Sequence, residues 1–345
     1  MIRQNNFDFL RLTLALAVFL LHTAILTGLD AFRFIKNFLN VETPVHAFFV
    51  ISGFLIVMSY NKDSSLSSYF SKRIRRIYPG YLAVILCSIA IGAVISEHNI
   101  SDYFSKDLAS YFFSNITFAN FIQPCLPGLF TDNRICAING SLWTIKIEVM
   151  FYLFVPVLVY LIRKHNTALV LLLLFITSTI WKFTFLYLAE AHSNELYTKL
   201  AIQLPGQLPF FIAGAYLYYY KPEKKIFHLF FATSIIFFLI RHYTTHNMFL
   251  EILYPVFLAI IVIYVANSFI YLGNFAKFGD HSYGVYIWHF PVIQTFIYFD
   301  LYQSPTTGFI LSTIALLFLS TISWHLIEKK FLLKSSHYIV SKDTA

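Results

Sequence analysis

Two titratable side chains lie inside long apolar runs, where such a group costs at least a few kcal/mol unless it has a partner or a purpose. His22 lies in the first run and Glu148 in the fourth. His22 lies about 9 Å before the end of its run and Glu148 about 10 Å after the start of its run, so two antiparallel helices would place them at the same depth. A neutral histidine beside a carboxylate can act as a general base, because the carboxylate holds the tautomer and stabilises the imidazolium. A purely structural pair is the alternative interpretation.

Cationic residues lie near the opposite side of the predicted helices from His22 and Glu148. Arg11 and His22 are eleven residues apart. That spacing is close to three helical turns, so both side chains share one face about 16 Å apart. A second cluster holds three arginines within four residues: Arg73, Arg75 and Arg76. Guanidinium forks suit a polyphosphate ligand, whereas a simple topology signal is the alternative interpretation.

Further polar, aromatic and small residues in the apolar runs are candidates to line a cavity. Small residues in membrane helices usually indicate close helix packing, although a site for a substrate chain needs the same absence of bulk. Pro291, two residues after His289, removes a hydrogen bond from the helix, and such breaks are tolerated where a helix lines a cavity. A histidine that only packs against its neighbours is the alternative. The candidates are Ser52, Gly53, Trp143, Lys146, Trp288 and His289.

The three cysteines show no spacing typical of a zinc or redox site, and no metal site is predicted. Cys125 and Cys136 fall together in one long segment between apolar runs, whereas Cys87 is alone in the third run. An oxidising compartment would allow Cys125 and Cys136 to form a disulfide. Two unpaired thiols are the alternative.

The elements that position these residues follow from composition. The chain has 345 residues, of which 58% are hydrophobic and 12% charged, against roughly 25% charged in an ordinary soluble domain. This excludes a soluble globular protein and a disordered chain. We predict an all-α polytopic membrane protein with about ten spans. The spans fall at about 9–28, 45–60, 81–96, 141–162, 167–189, 200–220, 226–240, 248–266, 283–299 and 308–327.

Charge predicts the orientation of these spans. The net charge is +8, and most lysines and arginines fall on one side if both termini are cytoplasmic. This asymmetry accounts for the basic balance without nucleic acid as a partner. The longest outer connection, 97–140, contains a weakly apolar stretch at 108–122. We interpret it as an interfacial or re-entrant helix, because a further span there would place every later loop on the opposite side.

At these residues the chain resembles the integral-membrane acyltransferase 3 family, bacterial O-acyltransferases that modify surface polysaccharides. The matching pieces run in order from position 8 to 329: Asp8-Phe9-Leu10-Arg11 with His22, the run 48–54 around Ser52-Gly53, Arg73-x-x-Arg76 with Tyr78-Pro79, Ser141-Leu142-Trp143 leading to Glu148 and Phe151-Tyr152, Ser282-Tyr283 through Trp288-His289, and Ile327-Glu328-Lys329. Many relatives have a second acidic residue where this chain has Val149, and a proline where it has Lys329.

The resemblance implies one membrane domain over 1–345 that takes an acyl group, usually acetyl, from cytoplasmic acyl-CoA as co-substrate, with no bound cofactor. The acceptor would be a hydroxyl of a glycan or glycolipid, and the location the bilayer of a bacterial inner membrane. His22 would be the catalytic base and Glu148 its partner, with Arg11, Arg73, Arg75 and Arg76 handling the donor. The tail 328–345 is too short for the soluble esterase-like domain of some relatives.

Two other classes remain open on the residues alone. A transporter of an anionic or lipid-linked substrate could use His22 and Glu148 as a proton relay. Its halves would be expected to show repeat symmetry, which this sequence lacks. A non-catalytic scaffold is the third and weakest alternative.

Overall fold

The protein is described here from a computed structural model, which covers residues 5–38, 40, 42–244 and 247–333. Over these residues the chain is helical and has no strand. The ten long helices are α1 (Phe7–Thr27), α2 (Glu42–Lys62), α3 (Leu66–Ile95), α4 (Trp143–Lys164), α5 (Thr167–His192), α6 (Leu204–Tyr219), α7 (Lys224–Tyr243), α8 (Met248–Asn267), α9 (His281–Tyr298) and α10 (Pro305–Ile322). Each matches one predicted span, which confirms the all-α polytopic class.

Nine candidate spans are found in the described part of the chain, since α9 is not among the helices apolar enough to cross a membrane. The helix forms where the sequence predicts it and is 18 residues long. Its polar side chains are enclosed by protein, as shown by His289 and Gln294, which are 0% and 1% exposed. A helix with that environment does not need an apolar surface.

The third helix is longer than the sequence indicates. The expected span begins at residue 81 and leaves the arginine cluster outside the helix, which is wrong because α3 is continuous over 30 residues and includes the cluster. Pro79 lies inside the helix rather than ending it. Thirty residues extend about 45 Å, so α3 exceeds the roughly 30 Å hydrocarbon core. The arginines are therefore held on a helical surface.

The segment 97–140 contains a helix of 11 residues, Lys106–Ile116. It is about 16 Å long and too short to span a bilayer. Tyr103, which precedes this helix, donates to the carbonyl of Ile89 at 2.8 Å, and burial raises its pKa to about 12. A disulfide joins Cys125 to Cys136, 11 positions apart, and Cys87 is an exposed free thiol.

The chain divides into two compact units. The first unit combines the first ten residues with 45–69 and 147–273. Its core contains Phe151, whose ring stacks on Phe211 at 4.4 Å and meets Phe49 edge-on at 5.3 Å. The backbones of helices α2 and α6 are in direct contact here. A Cβ atom on Gly53 would lie 2.0 Å from the carbonyl oxygen of Phe211, and a Cβ atom on Gly214 would lie 2.1 Å from the carbonyl oxygen of Val50.

The second unit combines 11–44, 70–146 and 274–345, of which the last segment is described to residue 333. The rest of the predicted tail, with Lys334 and Lys342, lies outside the described residues. Helix α10 continues into a π-helical turn, Ser323–Glu328, a feature often found at functional sites. The single domain predicted from the sequence stays a prediction, as does the cytoplasmic location of both termini.

Candidate active site

A pair of histidines lies in the second unit. His22 on α1 and His289 on α9 are joined by a hydrogen bond of 2.9 Å between Nδ1 of His22 and Nε2 of His289. Their rings stack with centroids 4.9 Å apart, and Phe290 meets His22 edge-on at 5.3 Å. Sequence analysis proposed both residues but did not pair them. A hydrogen bond across 267 positions leaves no local signal.

The surroundings of His289 bear on which tautomer this pair adopts. Because Nε2 of His289 faces His22, its Nδ1 is the nitrogen left to face the carbonyls of Val285 and Tyr286 one turn earlier. Those contacts fall short of ordinary hydrogen-bond geometry, but carbonyls favour a proton on Nδ1. Nε2 of His289 then accepts from Nδ1–H of His22. In this tautomer Nε2 of His22 carries the free lone pair.

Residues 125–140, which we call the strap, are bound to both helices that carry the histidines. The Arg134 side chain donates to the carbonyl of Ile25 on α1 at 3.2 Å. Gln294 on α9 donates to the carbonyls of Ile135 and Ala137 at 2.6 and 2.8 Å. Asn139 donates to the carbonyl of Ile287 at 2.8 Å. The strap therefore fixes α9 on both sides of His289.

Glu148 lies in the first unit, where its carboxylate is bound by Ser52. The Ser52 hydroxyl is 2.9 Å from Oε1 and 2.8 Å from Oε2 of Glu148. Ser52 is thus a carboxylate ligand, and the neighbouring Gly53 is packed against the Phe211 backbone, as the packing interpretation expects. His22 and Glu148 belong to different units, and their pairing stays a prediction.

The predicted donor-binding arginines meet an acidic residue that sequence analysis did not include in the site. Arg76 forms a close ion pair with Asp280, and Nη1 of Arg11 lies 4.0 Å from the same carboxylate. Asp280 is 5% exposed and caps α9 by accepting from the Ser282 backbone at 3.1 Å. Two guanidinium groups are therefore gathered around one carboxylate at the start of the helix that carries His289.

Arg75 differs from its neighbours in direction. It is exposed, and it donates from Nε to Ser71 at 3.2 Å and from Nη1 to the Phe331 carbonyl at 3.4 Å. Arg73 and Arg76 are half-buried and, three positions apart on α3, share a face. The basic cluster thus divides into one exposed arginine and two that face protein.

A second carboxylate lies close to Arg76 and Asp280. Glu328 is 1% exposed, accepts from the Ser323 hydroxyl at 2.8 Å and interacts electrostatically with both Arg76 and Asp280. Glu328 is the last residue of the π-helical turn Ser323–Glu328 and is buried there. Glu328 of the Ile327-Glu328-Lys329 motif is therefore part of the buried cluster around Arg76.

The remaining cavity candidates are spread over the second unit. The Lys146 ammonium lies 4.7 Å from the Phe121 ring centroid, and Trp143 is half-buried at the start of α4. Trp288 is buried, and its indole N–H has no hydrogen-bond partner in the described part of the chain. No group of three or more metal-ligating side chains occurs among the described residues.

Sequence analysis also missed a polar cluster in the first unit. His46 is 2% exposed, stacks on Phe210 at 3.8 Å and lies 3.4 Å from the Tyr254 hydroxyl. Lys182 lies over the same Phe210 ring at 5.6 Å, and Arg241 bonds to Glu251 at 2.8 Å. The sequence does carry one signal for this cluster, because Lys182 is a cation inside the predicted span 167–189.

These features define a class: an all-helical, multi-pass membrane protein with a hydrogen-bonded histidine pair and a separate cluster of arginines around a buried carboxylate. A family model described as an acyltransferase domain matches residues 4–327. The chain therefore belongs to this family, the acyltransferase 3 family that the sequence motifs resemble.

Three relatives illustrate the family. The chain is 28% identical to an O-acetyl transferase of Shigella phage Sf6, over 97% of this chain and 98% of that protein. It is 26% identical to nodulation protein 10 of Rhizobium leguminosarum bv. viciae, over 94% and 92%. It is 24% identical to the peptidoglycan O-acetyltransferase OatA of Listeria monocytogenes, over 82% of this chain and 50% of that protein. No solved structure matches. Together these similarities support a membrane O-acyltransferase.

Proposed function

We propose that the protein transfers an acyl group, usually acetyl in this family, from cytoplasmic acyl-CoA to a hydroxyl of a cell-surface glycan or glycolipid. The observation that carries the proposal is the hydrogen bond between His22 and His289 in a member of an acyltransferase family. Family membership favours this function over the transporter that the sequence left open.

In the proposed reaction Nε2 of His22 takes the proton of the acceptor hydroxyl as its oxygen attacks the thioester carbonyl. The carbon–sulfur bond then breaks, and the CoA thiolate takes that proton back from the imidazolium. Nε2 of His289 accepts a hydrogen bond from Nδ1–H of His22 and thereby holds the reactive tautomer. A positioned general base of this kind contributes about 10²–10⁴ in rate.

Glu148 remains the proposed carboxylate partner of His22 in the reacting complex. Its bond to Ser52 supports this role, because a carboxylate held by a fixed donor keeps a defined position. We propose that it stabilises the imidazolium formed during proton transfer.

The donor proposal rests on Arg11, Arg73 and Arg76. Guanidinium forks bind phosphate oxygens in pairs, and CoA carries several phosphates. The ion pair of Arg76 with Asp280 supports a pre-ordered cluster. A phosphate arriving there would share Arg76 and Arg11 with the carboxylate.

The acceptor and the location are proposed from the relatives. A relative named as a peptidoglycan O-acetyltransferase supports an acceptor in the bacterial envelope. We therefore propose the inner membrane as the site of action. The bilayer, acyl-CoA and the glycan acceptor would be the partners.

The test uses inverted membrane vesicles from bacteria that make the chain, supplied with acetyl-CoA labelled in the acetyl group. Alkali-labile label on carbohydrate should depend on the chain and should fall about 10²–10⁴-fold in His22→Ala. His228→Gln is the matched control, because His228 bonds to Tyr264 at 2.6 Å in the other unit. Equal labelling by wild type and His22→Ala, at equal membrane levels, would exclude His22 as the base.

A further inference from the structure

A cavity of about 990 Å³ lies in the first unit, among α5, α6, α7 and α8. Its walls are almost wholly apolar, with Leu171, Ala213, Phe230 and Ile260 among them. This volume is at the upper end of the roughly 300–1,000 Å³ range of small-molecule sites. Lining residues such as Leu172 and Leu229 are 55% and 61% exposed, so the cavity is a groove open along one side.

The groove lies towards one end of three of its four helices. It takes residues 168–175 from α5 and 226–233 from α7, within the first three turns of each, and 212–217 from the second half of α6. From α8 it takes residues 256–260, near the middle of that helix. Eight helical residues extend about 12 Å. That depth is less than half of the roughly 30 Å hydrocarbon core. The groove is therefore one leaflet deep and opens towards the end at which α5 and α7 begin.

Cations are concentrated at this end. Tyr220 and Pro222 line the groove and flank Lys221, and Ile226 lines it directly after Lys224 and Lys225. All three lysines are exposed, and Glu223 is the acidic residue among them. Lys224 and Lys225 begin α7, where the helix dipole disfavours cations. Their position therefore does not stabilise the helix, but it would stabilise an anionic group at the mouth of the groove.

We propose that this groove binds one anionic phospholipid of the leaflet on the lysine side, with acyl chains against the apolar wall and the phosphate at Lys221, Lys224 and Lys225. Because the mouth is cationic, it favours a headgroup that has no amine to neutralise the phosphate charge. The groove is one leaflet deep, which matches the length of a phospholipid acyl chain in that leaflet. A polyisoprenoid carrier is longer than the groove. The inference is independent of the proposed function.

The test measures bound lipid by native mass spectrometry on the purified full chain, with phosphatidylglycerol or phosphatidylethanolamine added at equal concentrations. The wild type should retain one phosphatidylglycerol and at least fivefold less phosphatidylethanolamine. Ala168→Trp with Thr233→Trp fills the groove from exposed positions and should abolish retention. Ala232→Trp is the control, since Ala232 is exposed on the same helix outside the groove.

A second arm tests the charge. Lys224→Gln with Lys225→Gln should remove the preference for phosphatidylglycerol, whereas Lys199→Gln, exposed on the short helix Glu195–Ala201, should keep it. The proposal is overturned if both lipids bind equally to wild type, or if the filled and control variants retain the same amount. It is also overturned if a polyisoprenyl phosphate displaces phosphatidylglycerol at equal concentration. Size-exclusion profiles establish that each variant is folded.

Discussion

His22 and His289 form the hydrogen-bonded pair on which the proposed proton transfer depends. His22 stood out because a histidine inside an apolar run needs a partner. The partner expected from matched depth was Glu148, whereas the hydrogen bond in the structure is to His289. Depth along a helix can be calculated from sequence, but the angular position of one helix about another depends on packing. From the sequence alone, all residues at the same depth are therefore equally good candidates for the partner of His22, and only the packed structure distinguishes them.

His289→Gln tests the role of this partner. Glutamine can still bond to His22, but its amide does not select a single histidine tautomer. We expect acyl transfer to fall about tenfold, the equivalent of about 1.4 kcal/mol in the barrier, because His22 is then no longer held in the reactive tautomer, with little change in the KM for acetyl-CoA. The measurement is the steady-state rate of acetyl transfer in membrane vesicles. A variant with wild-type turnover would show that His289 only packs against His22.

The arginines give a prediction with an internal control. Arg73→Lys with Arg76→Lys keeps both positive charges but removes the bidentate guanidinium forks. Insertion into the membrane should be unchanged, while the KM for acetyl-CoA rises by about tenfold, or roughly 1.4 kcal/mol. Vesicle assays over a range of acetyl-CoA concentrations measure this.

Arg75→Lys is the matched control, because Arg75 is exposed and bonds to Ser71 and Phe331. Its KM should stay within twofold of wild type. A KM unchanged in both variants would show that the cluster acts as a topology signal alone, and an equal rise in both would contradict the division between Arg75 and the pair Arg73 and Arg76.

The acidic part of the site could not be predicted in the same way as the basic part. Asp280 lies two residues before the Ser282-Tyr283 motif, but its ion pairs with Arg76 and Arg11 join positions about 200 or more apart in the chain. Glu328 depends on a π-helical turn, whose sequence signature is weak. Contacts within one helix face follow from periodicity, whereas contacts between distant segments require the packed structure.

At the scale of elements, the helices were predictable because a helix surrounded by lipid needs apolar side chains along its whole length, which appear in the sequence as a continuous apolar run. The exceptions have physical reasons. Helix α3 continues through Pro79, since water and neighbouring groups can satisfy a carbonyl that proline leaves free. Helix α9 is polar because protein surrounds it, and its buried Gln294 bonds to the strap. Both departures occur where a helix carries candidate site residues.

The contact between α2 and α6 gives a prediction about packing. Gly53→Ala or Gly214→Ala would place a methyl group about 2 Å from a carbonyl oxygen of the facing helix, so the two backbones must separate. Overpacking of this kind costs about 1–3 kcal/mol. We expect a lower melting temperature and a smaller monodisperse fraction in detergent, measured by fluorescence size exclusion after heating.

Ala232→Val is the control for this change. Ala232 is exposed on α7, so its extra methyl groups meet no backbone and stability should be preserved. Melting temperatures of Gly53→Ala and Gly214→Ala that match the control would contradict the close approach of α2 and α6. Because Gly53 follows Ser52, a shifted α2 should also disturb the bond between Ser52 and Glu148.

For the whole molecule, composition established the class and charge asymmetry suggested the orientation, which stays a prediction. The strap offers a direct test, because a disulfide between Cys125 and Cys136 forms in an oxidising compartment. Thiol labelling of unreduced, denatured protein should detect one reactive cysteine, Cys87, and three after reduction. Three reactive cysteines before reduction would remove both the bridge and its support for an outer location of 97–140.

The strap also has a consequence for the timing of maturation. It holds α1 through Arg134 and α9 through Gln294 and Asn139, so the segment that closes the disulfide also secures the two helices that bring His22 and His289 together. A newly inserted chain would therefore become competent only after its thiols are oxidised. Cells lacking a thiol oxidase should accumulate full-length, membrane-inserted protein that is inactive, and activity should appear when oxidant is added without new protein synthesis.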